Sequence, residues 1–157
     1  MFLELDSFEN IVKFTPLVAI DLCILNEENE ILLGKRVNPP AKNYFFVPGG
    51  RIRKGEKISN AIRRILKDEV NFEINNQNLD MVNLIGVFEH FYDDNFYGNK
   101  LFKTHYVVLA YLFHFKMLKK LATKKVKDQH EYYIWYGNSK KREIKIHPYI
   151  KEYLNMI

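Results

Sequence analysis

One amphipathic helix stands alone in a chain otherwise made of short apolar runs, and that contrast constrains the fold more than any other feature. Wound at about 100° per residue, residues 57–71 bring Ile58, Ala61, Ile62, Ile65 and Leu66 onto one stripe roughly 140° wide. The segments around it have strand character. Leu17–Leu25 reads as a strand, residues 26–29 as a turn, and residues 30–36 as the returning strand. Asn38-Pro39-Pro40 breaks the pattern, and Phe45-Phe46-Val47 is short and extended before Pro48-Gly49-Gly50. Further strands are predicted near 81–91, 105–115 and 132–136. Asp6-Ser7-Phe8-Glu9 has capping-box spacing ahead of Ile11, Val12 and Phe14, which predicts a short helix stopped by Pro16. A last short helix is predicted around 148–155. Many strands with one strong central helix make an α+β fold with a mixed sheet.

The chain's 157 residues suit one domain, and 47% hydrophobic against 27% charged residues is enough to bury a core without crosslinks. Cys23 has no second cysteine, which excludes a disulfide framework and a cysteine-based zinc site. The longest apolar run, Val107 to Phe113, falls short of the roughly 20 residues that cross a bilayer, so no membrane partner is expected. The first residues carry neither a basic region nor a long apolar stretch. The expected setting is therefore a reducing compartment, most simply the cytoplasm. Lys and Arg number 24 against 19 Asp and Glu, and the net +5 favours an anionic partner. Much of the excess lies between Lys116 and Lys127. It reads as solvated surface, and with no binding module nearby no nucleic-acid partner is expected.

Glu69 falls within about 20° of Ile58, near the middle of the apolar stripe. A carboxylate there is costly unless paired, hydrogen-bonded or metal-bound. Spacing alone leaves three readings open: a salt bridge to a local arginine, a helix end emerging from the core, or a metal site. Asp68 lies toward the edge of the stripe and reads as a solvated charge. Gly49-Gly50 permits close approach of a ligand to the backbone, although the pair alone is equally a turn. Arg36 and Arg51 add planar guanidinium forks suited to phosphate. Together with Glu69 these residues outline a site for a metal-bound diphosphate.

The stretch from Gly50 to Phe72 resembles the Nudix box, Gly-x5-Glu-x7-Arg-Glu-U-x-Glu-Glu-x-Gly-U, where U is apolar. Gly50, Glu56, Arg64, Leu66, Glu69 and Phe72 match it, while Ile65, Asp68 and Asn71 stand where the box has Glu, Glu and Gly. A missing early Glu with the last one kept resembles the GDP-mannose mannosyl hydrolases within the Nudix family. That likeness extends to Met1-Phe2-Leu3, Thr15-Pro16-Leu17-Val18, Leu32-Leu33-Gly34-Lys35-Arg36 and Phe46-Val47-Pro48-Gly49-Gly50-Arg51. It continues through His90-Phe91-Tyr92-Asp93-Asp94-Asn95-Phe96, Thr104-His105-Tyr106-Val107-Val108-Leu109 and Gln129-His130.

The resemblance implies a single Nudix domain over residues 1–157, a mixed β-sheet sandwiched between helices and carrying the loop–helix–loop of the box. Residues 1–14 would be an extension at a homodimer interface. The implied reaction is magnesium-dependent hydrolysis of a nucleotide sugar, GDP-mannose or GDP-glucose. Water would attack the sugar C1 with inversion and release GDP. One magnesium per subunit, replaceable by manganese, would bind the Gly49 carbonyl, Glu69 and Gln129. His130 would be the general base, Arg36 and Arg51 would stabilise charge on the departing GDP, and Tyr106 would add a hydrogen bond to it. Asp21 and His90 would touch the sugar, and His105, His114 and His147 are read as structural. Two other readings stand beside this one: a conventional Nudix pyrophosphatase that cuts between phosphates, and a non-catalytic nucleotide-sugar-binding module.

Overall fold

A computed structural model of the chain describes residues 4–98, 100–114, 129–137 and 143–157. Met1-Phe2-Leu3, Phe115 and the lysines between Lys116 and Lys127 lie outside the described residues. In chain order the elements are α1 (Leu5–Phe14), β1 (Leu17–Leu25), β2 (Ile31–Arg36), β3 (Phe45–Phe46), β4 (Gly49–Arg51), α2 (Ile58–Val70), α3 (Asn76–Leu79), β5 (Asn83–Tyr92), β6 (Thr104–His114), β7 (His130–Tyr136) and α4 (Pro148–Leu154). The strands form one mixed sheet in the order β3-β2-β1-β6-β5, with β4 added to β1 and β7 to β2.

The central strand β1 explains the architecture. It runs parallel to β6 from Leu17 beside Tyr106 to Leu25 beside His114. Its other edge is shared, Ala19 to Asp21 pairing with β4 and Leu25 reaching β2. Strand side chains alternate between faces. Ile20, Leu22 and Ile24 pack with Ala61, Ile62, Ile65, Leu66 and Val70 of α2. Cys23 and Leu25 pack in a second cluster with Ile150 and Tyr153 of α4. Helices cover both faces, which is why β1 reads as a nearly continuous apolar run. The α+β class and the mixed sheet between helices expected from the sequence are what the chain forms.

Several local expectations differ. Ile58 opens α2 but is 42% exposed, so the buried stripe begins at Ala61. Asn71 ends α2 with φ 52, in the left-handed region. The Nudix box has glycine there, and asparagine is the residue that best replaces it in that conformation. The capping box of α1 does not form, because the helix starts at Leu5 with Glu4 at its cap and no side-chain capping bond. Asp6 instead lies in the first turn, where the helix dipole favours an acid. Two short elements have no pattern long enough to predict. β4 is three residues that borrow the edge of β1, and α3 is one turn capped by the Asn75 side chain.

Candidate functional site

A cavity of about 440 Å³ opens among β1, β2, β4, β5 and β6, and Asp21, Arg36, Gly49, Arg51, His90, Tyr106 and Gln129 all line it. Seven of the nine residues singled out from the sequence are thus brought to one space. Glu69 and His130 are not part of its lining and pair with one another on the α2 side of the sheet. Close approach of backbones makes this possible. Gly49 sits opposite Asp21 in the β1–β4 ladder, and a Cβ there would lie 2.5 Å from Asp21 Oδ1. Gly34 does the same for His130, whose ring would lie 2.5 Å from an added Cβ.

The arginines have distinct supports. Arg36 Nε donates to the Pro40 carbonyl at 3.0 Å, and its Nη1 reaches Gln129 Oε1 at 3.4 Å. The Arg51 guanidinium lies over the Phe8 ring at 3.8 Å, which ties α1 to the cavity. Arg64 braces the loop leading into α2. Its Nε and Nη2 donate to the two carboxylate oxygens of Glu56 at 2.7 and 2.8 Å, and Nη2 also donates to the Arg51 carbonyl at 2.8 Å. The Arg64 contact holds the Glu56 carboxyl down at about 2. These two box residues therefore fix the shape of the loop.

Glu69 is 6% exposed and finds its partners far along the chain. Its Oε2 lies 3.0 Å from His130 Nδ1 and accepts from the Tyr133 hydroxyl at 3.3 Å, and that hydroxyl is 2.8 Å from the same Nδ1. The costly carboxylate is thus satisfied by a histidine and a tyrosine of β7, not by a local arginine. Burial lowers the His130 pKa, opposed by the bond to Glu69, and its Nε2 is buried without a hydrogen bond among the described residues. Asp68 is exposed, as its place on the helix predicts. Ile65 is buried in the α2-side core, so the position that carries a box glutamate is here a packing contact.

The α4 side carries a second polar cluster. Tyr153 donates to Asp21 Oδ2 at 2.6 Å and lies 3.1 Å from His90 Nε2. Tyr149 stacks on His90 with centroids 4.0 Å apart and planes 1° apart. Burial raises the Asp21 carboxyl to about 7, with the Tyr153 bond and Arg36 pulling the other way. Burial also lowers His90 to about 3. His147 acts at the start of α4, accepting from the Tyr149 amide at 3.4 Å. Sequence reasoning missed Tyr149 and Tyr153, whose signal was two tyrosines one helical turn apart in the last helix. It also gave no site role to the cavity residues Phe8, Tyr92 and Phe96, although Tyr92 and Phe96 lie in a stretch that carries the family likeness.

Among the described residues, no group of three or more His, Cys, Asp or Glu is gathered to hold a metal ion. None of the described helices is long and apolar enough to cross a membrane.

Comparisons with known proteins place these features. The model of the NUDIX domain matches residues 15–148. The low-salt glycan biosynthesis protein Agl8 of Haloferax volcanii is 39% identical over 88 residues, 56% of this chain and 53% of that protein. An ADP-ribose pyrophosphatase of Methanocaldococcus jannaschii is 44% identical over 54 residues, 34% of this chain and 31% of that protein. An RNA pyrophosphohydrolase of Orientia tsutsugamushi is 31% identical over 65 residues, 41% of this chain and 40% of that protein. The chain thus spans about half or less of the length of these curated relatives. A MutT NUDIX hydrolase from Burkholderia pseudomallei has the same fold, with a TM-score of 0.68 and 22% identity over 91% of this chain and 98% of that one. Two of the three relatives are named for pyrophosphate hydrolysis and none for cleavage at a sugar carbon. That corrects the expectation that water attacks C1 of GDP-mannose or GDP-glucose to release GDP. The misreading has a physical source: arginines and a carboxylate around a diphosphate serve either bond.

Proposed function

Because the chain belongs to the Nudix domain family, we propose that it is a magnesium-dependent hydrolase that cuts the diphosphate of a nucleoside diphosphate derivative. One observation carries this reading. Arg36, Arg51, the Gly49 backbone and Gln129 share one cavity, and the box carboxylate Glu69 lies on α2, the helix that packs against β4. Arg36 and Arg51 neutralise phosphate oxygens, and their charge matters most as negative charge builds in the transition state. Arg64 and Glu56 keep the Arg51 loop in shape, so that the cavity is organised before substrate arrives.

The residues fit a magnesium ion completed by substrate. The Gly49 carbonyl, Glu69 and Gln129 supply hard oxygen donors, and magnesium takes one or two carboxylates together with substrate phosphates and water. Manganese suits the same donors. Such an ion would neutralise charge on the diphosphate. His130 and Tyr133 both engage Glu69 Oε2, so His130 acts here by orienting Glu69. Its general-base role belonged to attack at the sugar carbon and falls with that reaction.

The finer reading is a nucleotide sugar. Asp21, His90 and Tyr92 offer polar groups at the cavity wall, and a relative named for glycan biosynthesis is in keeping with it. A homodimer belongs to the same proposal. The edge strand β5 leaves Leu84, Val87 and Phe91 more than half exposed, an apolar strip suited to a second copy. Sedimentation as a single monomer across concentrations would remove it. A cytoplasmic setting is proposed on the single buried thiol, Cys23.

The test is incubation of the full chain with magnesium, ¹⁸O-labelled water and a panel of ADP-ribose, UDP-glucose, GDP-mannose and nucleoside triphosphates. The expected products are a nucleoside monophosphate and a phosphorylated partner, with label on phosphorus. Label on a sugar hydroxyl would sink the reading. Tight binding without turnover would turn it into the binding module.

A further inference from the structure

α4 reaches the cavity from behind its wall. Tyr153 is 0% exposed, and its hydroxyl sits between two cavity residues, Asp21 Oδ2 at 2.6 Å and His90 Nε2 at 3.1 Å. A hydroxyl has one hydrogen to give. It goes to the Asp21 carboxylate, the shorter contact and the stronger acceptor. The second contact then needs a hydrogen on His90 Nε2, which leaves the lone pair of the neutral ring on Nδ1. Tyr149 fixes the plane of that ring by stacking, and its own hydroxyl accepts from the Phe91 amide at 2.8 Å and donates to the Phe91 carbonyl at 2.9 Å. Two tyrosines of one short helix thereby set both the orientation and the hydrogen pattern of a histidine on β5.

We propose that Tyr153 is a positioning residue for substrate selection: it holds Asp21 as an acceptor and His90 as the Nε2–H tautomer. This part of the cavity then presents Asp21 as an acceptor beside a His90 fixed in one tautomer, and it favours a hydroxyl-rich group on the diphosphate over one that lacks donors. The inference rests on the diphosphate-hydrolase reading above. A further phosphate, by contrast, brings no donor and, above the raised Asp21 value of about 7, meets the like charge of that carboxylate. Buried acceptors left unpaired are what make such a site reject the wrong group.

Two measurements test it on the full chain. Nitrogen-15 NMR of labelled histidines at pH 8.5 reads the tautomer, with the His90 signal assigned by its loss in His90→Gln. The expected wild-type ring carries its proton on Nε2, and Tyr153→Phe gives a mixture of tautomers. A wild-type ring with its proton on Nδ1 overturns the proposal. Second, kcat/KM is compared for a nucleoside diphosphate sugar and the methyl ester of the same nucleoside diphosphate. Wild type should prefer the sugar by at least about a hundredfold, and Tyr153→Phe should erode that preference at least about tenfold, mainly through KM. Equal loss on both substrates makes Tyr153 merely structural and overturns the proposal. If thermal melting shows Tyr153→Phe unfolded, His90→Gln is used instead and is expected to lose the same preference. Cleavage of neither substrate refutes the hydrolase reading alone, and the tautomer still decides the role of Tyr153.

Discussion

Glu69 and Asp21 are buried to the same degree, 6% exposed each, and each sits in a cluster with one tyrosine and one histidine, on opposite sides of the sheet. The order of contact differs. His130 touches Glu69 directly, with Tyr133 beside both. His90 reaches Asp21 only through the Tyr153 hydroxyl. Direct contact pins one carboxylate oxygen of Glu69 and suits a residue that presents a ligand oxygen. The relayed contact polarises a chain of hydrogen bonds and suits a wall that chooses what sits against it. Three shared side-chain types thus support two kinds of work, and the difference lies in which of them touches the acid.

The comparison breaks most visibly at Glu69. Glu69→Gln should lower kcat about 10³-fold while the far-ultraviolet spectrum stays native, on the proposed role of Glu69 as a magnesium ligand. Near-normal turnover with unchanged magnesium dependence would make Glu69 a core acid only. Arg36→Ala and Arg51→Ala should each cost about 10²-fold in kcat at saturating substrate. A change confined to KM would reassign them to uniform binding. His130→Gln and Tyr133→Phe should weaken magnesium activation ten- to a hundredfold, about the cost of losing an outer-shell partner. Calorimetric titration of magnesium with a non-hydrolysable substrate analogue reads this directly, and unaltered affinity would separate His130 from Glu69.

The smallest effect sharpens the Asp21 side. Folding raises the Asp21 carboxyl from its ordinary 3.8 to about 7 by burial, so the native state binds the extra proton between those values. Stability contributed by this group is therefore full below 3.8 and is lost as pH rises through about 7. Asp21→Asn carries no such charge. In chelator, its melting temperature relative to wild type should rise by several degrees between pH 4 and pH 8. A constant offset across that range would show that burial does not penalise the ionised acid.

Much of this was legible in order along the chain. The stripe of α2, the Gly49-Gly50 turn, the two arginines and the apolar run of β1 follow from periods of 3.6 and 2 and from the backbone freedom of glycine. Glu69 could be marked as a costly acid from its place on that stripe. The pattern of the box was likewise legible, with Asn71 as one of its departures; that Asn71 takes the left-handed helix end, as the glycine would, came only with the structure. The bond that is cut was not, since the same phosphate-binding groups suit attack on carbon or phosphorus. Nor were the partners of the two acids. Glu69 meets His130 across 61 residues, and Asp21 meets Tyr153 across 132. Periodicity tells which side of an element is buried, because that depends on neighbours within a turn or two. Which side chain waits there depends on strand order and on how helices dock, and those are decided only when distant segments pack together.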